Sequence, residues 1–82
     1  MIKKLYCVFD KKANTTQPVY ECANDLVAIR DFSMLCKNEK AEMISRFPED
    51  YCLMCLGELD TDTGIIISSP KTIAEAKEYT AE

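Results

Sequence analysis

At 82 residues the chain is long enough for one domain, spanning 1–82, and too short for two. A domain this small buries only about 60% of the surface its unfolded chain exposes, so self-association is a common supplement and a homo-oligomer, a dimer first, is expected. The net charge of −4 argues against a generally basic nucleic-acid-binding surface, and the absence of histidine excludes His-dependent catalytic triads.

Ile2 to Asp10 is rich in branched and aromatic residues and reads as a strand with Leu5, Cys7 and Phe9 on one face and Tyr6 and Val8 on the other. Lys11 to Gln17 is polar and suits a loop. Pro18 then opens a second short strand, Val19 to Ala23, antiparallel to the first. Asn24 is placed to cap a helix and Asp25 complements its positive end, and along Leu26 to Lys37 the residues Ala28, Ile29, Phe32, Leu35 and Cys36 recur at helical spacing. Lys40 to Phe47 suits a shorter helix that Pro48 ends.

Tyr51 to Leu59 is apolar on both faces, with Tyr51, Leu53, Cys55 and Leu59 alternating against Cys52, Met54 and Leu56. That pattern predicts a central strand covered on both sides. Thr61 to Gly64 supplies a turn and Ile65 to Ile67 a returning strand. After Pro70, the three-residue spacing of Ile73, Ala76 and Tyr79 predicts a terminal helix over Thr72 to Ala81. The order ββα(α)ββα implies an α+β fold, a four-stranded, mainly antiparallel sheet with two or three helices packed on it. Its expected core contains Leu5, Cys7, Phe9, Ile29, Phe32, Leu53, Cys55 and Leu56.

Five cysteines lie in apolar segments and read as small core residues of a protein kept in a reducing cytoplasm. The N-terminus passes straight into the first strand pattern, with no signal peptide and no membrane span. Cys52-x-x-Cys55 has the spacing of a metal or redox pair, yet residues three apart on a strand point to opposite faces and no second ligand pair follows. Buried structural cysteines are therefore expected. Asp60-x-Asp62-x-Gly64 matches only the start of a calcium loop, since the later ligands are replaced by Ile65 to Ile67, and reads as a hairpin turn. No enzyme, no metal and no cofactor is expected.

Aromatic rings on a sheet can stack unpaired bases while lysines hold the phosphates. Tyr6, Tyr20 and Tyr51 are the candidate rings. Tyr6 and Tyr20, with Lys3, Lys4, Lys11 and Lys12, form the candidate nucleic-acid site, against the plainer reading of half-buried sheet tyrosines with wetted hydroxyls.

The segments Lys3 to Asp10 (KKLYCVFD), Asn24 to Phe32 (NDLVAIRDF), Phe47 to Tyr51 (FPEDY) and Leu53 to Asp60, with the glycine turn after it, resemble the short nonstructural protein family of gokushoviruses. These are small single-stranded DNA phages of the microvirus family. The likeness covers most of the chain and weakens after Pro70. It implies a viral protein made in the bacterial host cytoplasm, absent from the virion, and acting in genome replication or in the switch to single-stranded DNA synthesis and packaging. It brings no functional residues with it. Two classes of function follow: an accessory that binds single-stranded DNA, or an interaction module that recruits or modulates a viral or host replication protein.

Overall fold

The computed structural model describes residues 1–79, in the order β1 (Ile2–Asp10), β2 (Thr15–Thr16), β3 (Tyr20–Cys22), α1 (Asp25–Cys36), α2 (Glu42–Arg46), β4 (Tyr51–Asp60) and β5 (Ile66–Glu75). Single 3-10 turns stand at Pro48–Asp50 and Ala76–Glu78. The fold is α+β with an antiparallel sheet of five strands rather than the expected four. The fifth is the two-residue β2. It pairs with Phe9 and Asp10 while β3 pairs with Lys4, Leu5 and Tyr6, so both lie along one edge of β1. Pro18 stands between them and lacks the amide hydrogen a continuous ladder would need.

β4 occupies the centre, between β1 and β5, as its apolar run predicts. Helix α1 forms where its periodicity places it. The Asn24 side chain accepts from the Val27 amide at 2.9 Å, and Ala28, Phe32 and Cys36 are buried with Ile29 and Leu35 beside them. α2 is shorter than Lys40 to Phe47, since its N-cap position is Ala41, which has no side chain to accept a bond.

The terminal helix expected over Thr72 to Ala81 does not form in the described part; Thr80 and Ala81 lie outside the described residues. β5 instead runs through Pro70 to Glu75 and is followed by one 3-10 turn. The reason lies in β4. Tyr51, Cys52, Leu53 and Cys55 are buried, and buried backbone groups need partners on both sides of a strand. Lys71, Thr72, Ala74 and Glu75 supply the ladder opposite Cys55, Met54, Leu53 and Cys52. Helix propensity yields to that pairing, and Pro70 is tolerated because β5 is an edge strand whose register slips at Pro70 itself, between Ser68 and Lys71.

The core joins α1 to one face of the sheet: Tyr6, Val8, Tyr51, Leu53, Cys55, Ala74 and Ala76 close on Ala28, Phe32 and Cys36, and Tyr79 meets Phe32 edge-on at 6.4 Å between ring centroids. Three expectations change here. From β1 it is Tyr6 and Val8, not Leu5, Cys7 and Phe9, that turn toward the helix. Cys7 is buried outside the helix-side cluster, and Leu5, Phe9 and Leu56 are only half-buried. The helices pack over one face, as the element order implies, but the cover expected on both sides of β4 includes no helix on the second: among the described residues, every helical residue in the core cluster packs on the Tyr6 face.

Candidate interaction surface

The second face of the sheet follows from the register. Cys7 lies opposite Met54 and Phe9 opposite Cys52, so these four side chains project away from α1, with Leu5 two residues before Cys7 on the same side. Between Leu5 and Tyr6 the pairing with β4 slips, because Leu5 faces Gly57 and Tyr6 faces Cys55, leaving Leu56 as the extra residue of a bulge. A slip of one residue moves every later side chain to the other face. Leu59, grouped by strict alternation with Leu53 and Cys55, therefore sits opposite Lys3 and joins the face away from the helix. Gly57 permits the bulge. Its φ is +142°, and a Cβ there would stand 2.1 Å from the carbonyl oxygen of Ile67.

The outcome is an apolar strip of Leu5, Cys7, Phe9, Cys52, Met54 and Leu56 with no helix across it among the described residues. Cys7 and Cys52 are buried yet lie outside the main core. Burial pushes both thiols up, so they stay protonated and behave as small apolar groups. Cys55 points into the core beneath α1. The C-x-x-C pair is thus divided between the two faces, as strand geometry requires.

The lysine and tyrosine set does not converge. Tyr6 is fully buried, and its hydroxyl donates to the Asp25 carboxylate at 2.6 Å, which removes its ring from any stacking role. Burial, then the hydrogen bond to Asp25, pushes the Tyr6 phenol far up, while the same bond and the Lys4 ammonium at 3.6 Å hold the Asp25 carboxyl down. Tyr20 is 36% exposed beside Tyr6, with ring centroids 6.2 Å apart, and its phenol is pushed up to about 12, first by burial. Tyr51 is buried in the core.

Lys3 pairs with Glu21 at 3.3 Å on the open face, whereas Lys4 lies on the helix side. Lys11 pairs with Glu75 at 2.7 Å and Lys12 is exposed in the turn after β1, which at about 3.3 Å per residue is roughly 25 Å along the strand from Lys3 and Lys4. Three of the four lysines are thus occupied by carboxylates.

Asp60-x-Asp62-x-Gly64 folds as the β4–β5 hairpin turn. The Asp60 carboxylate accepts from the Asp62 amide at 2.9 Å, and Gly64, at φ 78°, donates its amide to the Asp60 carbonyl at 2.7 Å. Among the described residues no group of three or more His, Cys, Asp or Glu gathers as a metal site, and no buried side-chain polar atom lacks a partner. A concavity of about 740 Å³ is an open groove between Leu35, Tyr51 and α2, rimmed by Gln17, Lys40 and Glu42. It brings no nucleophile to a base. No described helix is long and apolar enough to cross a membrane.

Sequence reasoning missed the open strip because it assigned Leu5, Cys7, Phe9 and Leu56 to the interior. The signal available was the excess of apolar residues over what one twelve-residue helix can cover.

A family model described as "Phage ORF5 protein" matches residues 3–79. No curated protein matches the chain. No solved structure matches it.

Proposed function

Because the chain belongs to the phage ORF5 protein family, we propose that it is a phage accessory protein that works as a protein-interaction module in viral DNA replication or the switch to single-stranded DNA synthesis. The observation that carries this reading is the apolar strip on the sheet, whose half-buried Leu5, Phe9, Met54 and Leu56 cost free energy for as long as they stay partly in water. Its setting is the host cytoplasm during infection by a single-stranded DNA phage of gokushovirus type, which the sequence resemblance supports. A viral or host replication protein is the partner class, and the chain itself performs no chemistry.

Direct stacking on single-stranded DNA through Tyr6 and Tyr20 is not part of the proposal, given the burial of Tyr6 and the carboxylate partners of Lys3, Lys4 and Lys11. A titration with single-stranded DNA separates the two classes: no binding is expected even at low salt, where phosphate contacts are strongest. In infected cells, a phage carrying Met54→Lys on the strip is compared with one carrying Leu26→Lys on the far side of α1, where Leu26 is 80% exposed. Strand-specific hybridisation should show less progeny single-stranded DNA for the first alone. Equal DNA accumulation with a folded Met54→Lys protein would defeat the reading.

A further inference from the structure

The strip need not wait for a foreign protein. We propose that its occupant is a second copy of this chain, the two sheets packing face to face about a twofold axis; this rests on the reading of the strip as an interaction surface. Three features of the molecule select that occupant.

Both edges of the sheet are guarded against strand addition. On one side the ladder is broken between β2 and β3 at Pro18, and on the other β5 carries Pro70 and two register irregularities against β4. Interruptions of this kind are what protect edges from pairing with another chain. Along those stretches growth sideways is disfavoured, and the open face is the larger surface left.

Charge comes next. The chain carries −4, and two copies repel each other on average. The open face departs from that average. Among the described residues its charged rim includes Lys3 with Glu21 near the start of β1 and Lys11 with Glu75 at the other end, two positive and two negative groups already in pairs. A twofold interface sets each patch against its own copy, and a surface balanced in this way can meet itself without like-charge repulsion. A phosphate backbone or an anionic membrane surface would find no excess of cations there.

Size is also sufficient. β4 and β5 have ten residues each and β1 has nine. At about 3.3 Å per residue and 4.8 Å between strands, the sheet face covers roughly 500–600 Å², which gives an interface of about 1,000 Å² over two copies, the lower bound for a specific association. Facing sheets about 10 Å apart would interdigitate Phe9, Met54 and Leu56 with their counterparts.

Light scattering on the purified full chain, from micromolar to near-millimolar concentration, tests this. Wild type and Leu26→Lys should weigh twice 9.3 kDa, while Met54→Lys should weigh 9.3 kDa with an unchanged circular dichroism spectrum. Phe9→Lys serves as the second face variant should Met54→Lys not fold. Wild type at monomer mass throughout the range overturns the inference, as does a folded face variant that remains a dimer. The two readings fail separately. A monomeric wild type whose Met54→Lys phage still loses progeny DNA would leave the strip as a docking site for another protein. A dimer that Met54→Lys dissociates without any loss of progeny DNA would keep the self-association and remove the interaction role in replication.

Discussion

On its covered face the sheet presents Tyr6, Val8, Leu53 and Cys55 to Phe32 and Cys36 of α1, whereas on the other face Leu5, Phe9, Met54 and Leu56, no less apolar, have chiefly one another. The two sets come from the same two strands and alternate along them. The first is closed by a helix whose apolar stripe is just wide enough for one side of the sheet. The second exceeds what the remaining short helical segments can reach, since α2 and both 3-10 turns also approach from the covered side or bury nothing. A small α+β chain that is apolar on both sides of its central strand thus has one face for folding and one left over for association.

The sharpest way to break this comparison is truncation on each face. Phe32→Ala removes a ring that is 1% exposed and should cost about 3–5 kcal/mol, enough to unfold much of a marginal domain, as read by urea denaturation followed by circular dichroism. Phe9→Ala on the open face should cost about 1–2 kcal/mol under conditions where the chain is monomeric, because the ring is only half-buried there. Equal costs would mean that the second face is also closed.

Gly57→Ala comes next and acts on the bulge that assigns Leu59 to the open face. Backbone strain at φ +142° alone is worth about 1–3 kcal/mol, and the Cβ must also displace the Ile67 carbonyl, so a loss at or above that range is expected in the same denaturation experiment. A neutral Gly57→Ala would show that the two strands can separate there without cost.

Tyr6→Phe probes the polar seam at the top of the covered face. Loss of the hydrogen bond to Asp25 should cost about 1–2 kcal/mol, at the low end for a charged acceptor because Asp25 is one-third exposed. It should also change the acid limb. The Asp25 carboxyl is held down in the folded state, first by Tyr6, so its contribution is complete above the unfolded value of about 3.9 and is lost as pH falls through the lowered folded value. Stability measured from neutral pH downward should fall less steeply in Tyr6→Phe. An unchanged acid limb would locate the lowering of Asp25 elsewhere.

The smallest effect is expected at the helix entry. Asn24→Ala removes the acceptor of the Val27 amide and should cost about 1 kcal/mol, read as a modest drop in melting temperature. A loss much larger than this would mean that α1 depends on its cap more than on the sheet beneath it.

Local chemistry made several elements legible in advance. The nine residues of β1, the Asn24 cap, the stripe of α1, the centrality of β4 and the hairpin at Gly64 all follow from periodicity, capping and turn residues that act over a few positions. The wrong terminal helix shows the limit of such reasoning. Ile73, Ala76 and Tyr79 carry a helical spacing, but β4 needs a partner on its second edge, and that demand comes from residues some twenty positions away. The candidate nucleic-acid residues failed to assemble for a related reason: alternation sends Lys3 and Lys4 to opposite faces, and which face holds the helix decides that Tyr6 is buried.

What the sequence by itself determined, then, is the α+β class, the position of the long helix and the surplus of apolar residues on both sides of Tyr51 to Leu59. Only the tertiary structure decided which side α1 covers, where the bulge at Leu56 and Gly57 transfers Leu59 from one side to the other, and that β5 rather than a helix completes the sheet. The reason is physical. Periodicity is blind to which of two equivalent faces a distant helix will reach, and a bulge reverses the alternation from one glycine whose strain is visible only once its neighbours across the sheet are in place.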